Sequence, residues 1–140
     1  FKAAVSGAPV VNMTSAYGGI RWESGKSRMF QYEQTQSRIG GTLWDKPAEF
    51  IRNSPLFFLP QVQTPVLIMH NDKDGSVMWE QGIEFFMALR RLDKPVWLFN
   101  YKGEGHHLKK WENRLDYSRR VMEFYDYYLK DGKKPEWMKS

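Results

Sequence analysis

Two polar loops hold the residues best suited to chemistry. The first, His70-Asn71-Asp72-Lys73-Asp74-Gly75-Ser76, follows four apolar residues, Val66, Leu67, Ile68 and Met69. The second, Lys102-Gly103-Glu104-Gly105-His106-His107, follows Val96-Trp97-Leu98-Phe99-Asn100-Tyr101. A buried carboxylate that accepts a hydrogen bond from one imidazole nitrogen fixes the tautomer and stabilises the imidazolium. The other nitrogen is then free to take a proton from a nucleophile. Asp74 and His106 form such a pair if their loops leave neighbouring strands at one rim of a sheet. Alone, Asp74 reads as a turn or helix-capping aspartate and His106 as a surface histidine; the pairing gives each a role. Asp72 is the competing carboxylate. His70 reads as a structural hydrogen bonder at the strand end, and His107 as a bystander beside the base. No His-x-x-x-His or similar spacing supports a metal site.

The elements must bring these loops together. Val66–Met69 has no polar alternation, so it reads as a strand buried on both faces, as in a parallel sheet covered by helices. Polar residues past the carboxyl ends of such strands are where open α/β sheets carry their chemistry. Phe1–Ala8 reads as another strand, ended by Gly7, Ala8 and Pro9, with a loop from Pro9 through Thr14. Residues Ser15–Pro60 predict short helices and irregular connections. One helix there has Asp45 as N-cap, Pro47 in its first turn and an end near Asn53, because Pro55 biases Ser54 away from helix. Trp79, Ile83, Phe86, Leu89 and Leu92 predict a helix over Met78–Leu92. A closing helix over Asn113–Lys130 has Leu115, Met122, Tyr125 and Leu129 on one face, widened by Val121, Phe124 and Tyr128. Asp131-Gly132 ends it, and the tail Lys133–Ser140 is expected to fray, with Trp137 as its one docking residue. Strands alternating with helices give the fold class: α/β, with parallel strands and flanking helices.

The composition suits a single globular domain of 140 residues, with 41% apolar and 16% aromatic residues. There is no cysteine, which removes disulfides, thiolate metal sites and a cysteine nucleophile. The net charge of +5 comes from scattered basic residues rather than a dense stripe with interleaved aromatics, which argues against a nucleic-acid surface. No apolar run reaches membrane-spanning length. The chain opens with Phe1-Lys2-Ala3-Ala4-Val5, with no initiator methionine and inside the first strand. It therefore reads as a piece of a longer protein whose compartment is left open.

Acid before histidine is the chain order of the Ser…Asp…His triad of α/β-hydrolases. No serine of this sequence lies in Gly-x-Ser-x-Gly, so the nucleophile is not assigned among these residues. The run Ser54-Pro55…Thr64-Pro65-Val66-Leu67-Ile68-Met69-His70-Asn71-Asp72-Lys73-Asp74-Gly75-Ser76-Val77, then Gln81 and Gly103-Glu104-Gly105-His106, resembles the C-terminal part of a prolyl oligopeptidase family serine peptidase. Phe1–Pro9 is similar to the family strand that follows the nucleophile elbow, and Gly40-Gly41…Trp44…Ser54-Pro55 also fits. Dipeptidyl and acylaminoacyl peptidases belong to this family.

The resemblance implies the C-terminal half of an α/β-hydrolase fold, with Asp74 as triad acid and His106 as triad base. Val10, Met13 and Val77 would line the pocket for the residue before the scissile bond. It also implies a peptide substrate, no cofactor, and an upstream nucleophile elbow and β-propeller in the remainder of the chain. Three positions depart from the family pattern. The usual His-Gly is His70-Asn71, a second aspartate after the triad acid is Gly75, and a polar residue able to touch substrate carbonyls is only Ser76. The expected function is peptide-bond hydrolysis by the complete protein, with the 140 residues inactive alone. An esterase of the same fold and a non-catalytic α/β interaction domain are the alternatives. A first strand without its upstream neighbour would expose an edge able to pair with another copy.

Overall fold

The computed structural model describes residues 1–139. In chain order the elements begin with strand β1 (Ala4–Gly7), helix α1 (Met13–Ala16), strands β2 (Ile20–Arg21) and β3 (Lys26–Ser27), and helices α2 (Met29–Glu33) and α3 (Pro47–Arg52). A 3-10 segment, Pro55–Gln61, leads to strand β4 (Val66–Met69), helix α4 (Trp79–Arg91), strand β5 (Val96–Phe99) and helix α5 (Trp111–Leu129). A short 3-10 turn, Glu136–Met138, follows.

The sheet that positions the site is parallel, in the order β1-β4-β5. Its strands end level with one another: Gly7 pairs with Met69, and Met69 with Phe99. The segments after Gly7, Met69 and Phe99 therefore leave from one rim. β4 is central and wholly buried, as its unbroken apolar run requires. Its side chains alternate between two cores. Val66 and Ile68 pack with Val11, Leu59, Leu89 and Val96 on the α4 side. Leu67 packs with Phe124 and Met138 on the α5 side. Leu67 and Ile68 are fully buried, and each such side chain contributes about 1.5–3 kcal/mol. A third cluster, Met13, Ala16, Tyr17, Tyr32 and Phe50, holds the insert between β1 and β4 together.

Four local expectations need correction. Asn12 turns part of the expected Pro9–Thr14 loop into the start of α1, because its side chain accepts the Thr14 N–H at 3.0 Å and caps the turn. Asp45 does not cap α3. Its Oδ2 accepts the Thr42 N–H at 3.3 Å, closing the preceding turn, and Lys46 is the residue before the helix. In α5, aromatic bulk decides which side is buried. Phe124 is fully enclosed and Val121, Tyr125 and Tyr128 pack beside it, while Leu115, Met122 and Leu129 are 63%, 66% and 52% exposed. The tail is docked rather than frayed through Lys139. Trp137 stacks edge-on against Phe99 with ring centroids 5.0 Å apart, and the Trp97 indole donates to the Met138 carbonyl at 3.2 Å. Ser140 lies outside the described residues.

No helix among the described residues is long and apolar enough to cross a membrane.

Candidate active site

Asp74 sits in the tight turn that follows β4. Its Oδ1 accepts the N–H groups of Ser76 and Val77, both at 2.8 Å, which is how an aspartate closes a turn on its own backbone. Its Oδ2 faces two imidazoles: His106 Nδ1 at 2.9 Å and His70 Nε2 at 3.3 Å. The carboxylate is completely enclosed, whereas the His106 side chain keeps 27% of its surface open. Burial pushes the Asp74 carboxyl up. Donation by His70, the Val77 N–H, His106 and the Ser76 N–H outweighs it, so the group is held well below the usual carboxylate range.

His70 is itself fully buried. Its Nε2 lies 2.9 Å from the Val77 carbonyl, which can only accept, so Nε2 carries the proton and Asp74 is its second acceptor. Nδ1 has no hydrogen-bond partner among the described residues. The ring presses against α4 at Gly82, where a Cβ would fall 2.6 Å from His70 Nδ1. Only a residue without a side chain lets α4 come this close.

The histidine loop is fastened at several points. Glu104, 3% exposed, accepts the Lys109 N–H at 2.9 Å, the Lys110 N–H at 3.2 Å and the Asn113 amide at 3.3 Å, tying the loop to the start of α5. Burial raises the Glu104 carboxyl, and those donors together with the Lys110 charge bring it down below its ordinary value. Asn71 bridges the two loops: its amide donates to the Gly105 carbonyl at 2.9 Å and its Oδ1 accepts the Tyr101 N–H at 3.0 Å. Asp72, the competing carboxylate, accepts the Gly103 N–H at 2.9 Å and takes no part in the pair. His107 is exposed, its ring edge-on to His106 with centroids 4.7 Å apart.

A cleft of about 510 Å³ opens beside His106. Val10, Met13 and Val77 all line it, together with Ser76, Arg28 and Tyr32. Gln81 on α4 holds the Val10–Met13 wall by accepting the Val11 and Asn12 N–H groups at 3.1 and 2.9 Å, while Ser54 Oγ accepts the Met13 N–H at 2.8 Å. At the entry from β1, Ala8 takes a left-handed conformation, φ 46°, which costs an alanine about 1–2 kcal/mol. The Ser76 hydroxyl donates to Glu23 Oε2 at 2.5 Å and is thereby committed to the hairpin of the insert.

A carboxylate and an imidazole thus stand together at the level ends of adjacent parallel strands, a pairing able to hold and move a proton. The family model for the prolyl oligopeptidase family matches residues 1–132. The chain belongs to that family. The human acylamino-acid-releasing enzyme is 31% identical over 122 residues, which is 83% of this chain and 16% of that protein. Dipeptidyl-peptidase 5 of Schizosaccharomyces pombe is 30% identical over 93 residues, 66% of this chain and 14% of that protein. The fold agrees with acylaminoacyl peptidase from Pyrococcus horikoshii at a TM-score of 0.78 and 22% identity, covering 99% of this chain and 22% of that one. The chain thus spans about one-sixth of the length of the curated relatives it matches. The prolyl oligopeptidase family match includes both loops and every cleft residue named above.

In the sequence, Asn71 reads only as a departure from the usual glycine, Glu104 only as part of the Gly103–His106 run, and Gly82 has no assigned role. Their signal was present: a carboxylate between two glycines before a helix, and a glycine inside an otherwise well-formed helix, each call for a reason in packing.

Proposed function

We propose that these residues supply the acid and base of a serine peptidase whose nucleophile comes from chain outside the 140 residues. The observation that carries the reading is the 2.9 Å approach of His106 Nδ1 to the enclosed Asp74 Oδ2 beside an open cleft. With Nδ1–H donating to Asp74, His106 Nε2 is left to take the serine proton as the hydroxyl oxygen attacks a peptide carbonyl. Asp74 stabilises the imidazolium that forms. His106 then gives that proton to the leaving amine, and repeats both transfers as water releases the acyl group. Val10, Met13 and Val77 form the wall against the residue before the scissile bond. Without a nucleophile and an oxyanion hole the 140 residues alone are inactive.

The test is the full-length protein with Asp74→Asn or His106→Ala, assayed on peptide and on ester substrates. Both variants should lose turnover by several orders of magnitude, and a serine-directed fluorophosphonate should label the parent protein. Undiminished turnover in either variant would sink the assignment. Cleavage confined to esters would leave the triad and replace the peptidase with an esterase.

A further inference from the structure

The cleft holds a cation whose counter-charge is missing among the described residues. Arg28 is 6% exposed, yet its side chain makes one hydrogen bond, from Nη1 to the neutral Gln31 Oε1 at 2.9 Å, and no ion pair. Tyr32 follows one turn later, its N–H bonded to the Arg28 carbonyl at 3.1 Å. Tyr32 is 4% exposed, and its buried hydroxyl has no hydrogen-bond partner among the described residues. Both residues line the same cleft as His106, Met13 and Val77. Arg28 thus brings a guanidinium without an anion to the cleft wall, and Tyr32, one turn away, brings a buried phenol without an acceptor, which costs stability until it is paired.

The nearby carboxylates are engaged elsewhere. Asp74 holds His106 and His70, and Glu33 accepts from the Tyr17 hydroxyl. Glu23 accepts from Ser76 and stands 4.0 Å from Arg21, a second cation on the cleft wall. What the cleft lacks is a group with two acceptor oxygens. A carboxylate fits: the planar fork of an arginine matches it, and the phenol adds a further donor.

We infer that this end of the cleft binds a carboxylate of the substrate, with Arg28 and Tyr32 as its donors. The inference deepens the peptidase reading and rests on it for the word substrate. The carboxylate has two chemical sources: an acidic side chain on the acyl-side residue, or the free terminus of the leaving peptide. An occupant of about 510 Å³ or less is within the usual size of a small-ligand site.

The experiment uses full-length protein and three chromogenic or fluorogenic peptides. One has glutamate before the scissile bond and a blocked terminus, one has glutamine there and a blocked terminus, and one has glutamine with a free carboxyl terminus. The parent should favour one carboxylate-bearing peptide over the blocked glutaminyl one, and which one it favours identifies the source. Arg28→Gln should reduce that preference, measured as a kcat/KM ratio, about 10- to 100-fold. Arg28→Lys should restore part of it, and Tyr32→Phe, which keeps the ring and its packing, should reduce it severalfold. Equal losses on all three peptides, or a parent without preference, would overturn the inference. Calorimetric binding of the same peptides to the His106→Ala protein separates it from the peptidase reading. Selective binding of a carboxylate-bearing peptide with no turnover by the parent would keep the site and remove the peptidase. Equal affinities would remove the site.

Discussion

His70 Nε2 lies 3.3 Å from Asp74 Oδ2, the same oxygen that His106 Nδ1 approaches to 2.9 Å. Asp74 is therefore held by a second imidazole, fully buried and donating from its Nε2. Asp74 has both oxygens occupied, so its position does not depend on His106, and the His106 ring is offered a fixed acceptor.

Asp74→Asn in the full-length protein keeps the shape of this acceptor and removes its charge. We expect kcat to fall about 10³- to 10⁴-fold, with KM little changed, because only the charge-separated state loses its partner. Steady-state kinetics on a peptide substrate checks it. A loss confined to KM would mean that Asp74 binds substrate instead.

Asp74 also ties stability to pH. Its carboxyl is held below the ordinary value in the folded state. The carboxylate thus contributes stability that is fully present above the unfolded value of about 4 and is lost as pH falls through the lower folded value. Unfolding free energies from urea titration should be about 1–3 kcal/mol lower for Asp74→Asn than for the parent at pH 7, since the variant strands buried donors. The difference should shrink as pH drops below about 4. A gap that widens on acidification would refute the sign.

Gly82→Ala tests the contact between α4 and the His70 ring. The new Cβ would come 2.6 Å from both Cβ and Nδ1 of His70, so the helix or the ring must shift. Overpacking of this kind costs about 1–3 kcal/mol. Because His70 holds Asp74, turnover of the folded variant should fall as well. Thermal melts together with kcat measure both, and an unchanged melting temperature would show that the helix gives way freely.

The apolar row on α5 should act as a contact surface. Trp111, Leu115, Met122 and Leu129 are all more than half exposed and recur at spacings of four and seven, so they share one stripe of the helix. β1, meanwhile, is an edge of the described sheet. We expect the isolated 140 residues to self-associate, and Leu115→Glu with Met122→Glu to reduce that association. As surface changes, they should alter stability by no more than about 0.5 kcal/mol each. Sedimentation velocity decides; a monodisperse monomer of the parent stretch would remove the expectation.

The sequence by itself determined the parallel strands and pointed to Asp74 and His106 as a candidate pair. Val66–Met69 reads as a strand buried on both faces, and its polar mouth, set beside Gly103–His106 and the family resemblance, points to Asp74 and His106. These signals are local: a run, a period, a loop at a strand end. Tertiary structure alone decided which side of α5 is buried. Its apolar residues extend around much of the helix, and the bulk of Phe124 against Leu67 and Trp97 selected one side over Leu115 and Met122. It also decided that Asn71 and Glu104 brace the histidine loop, and that Arg28 and Tyr32 reach the cleft of His106. The physical reason is the same in each case. A hydrogen bond or a cleft wall between residues distant in sequence depends on how separate elements pack, and no period within one element records that distance.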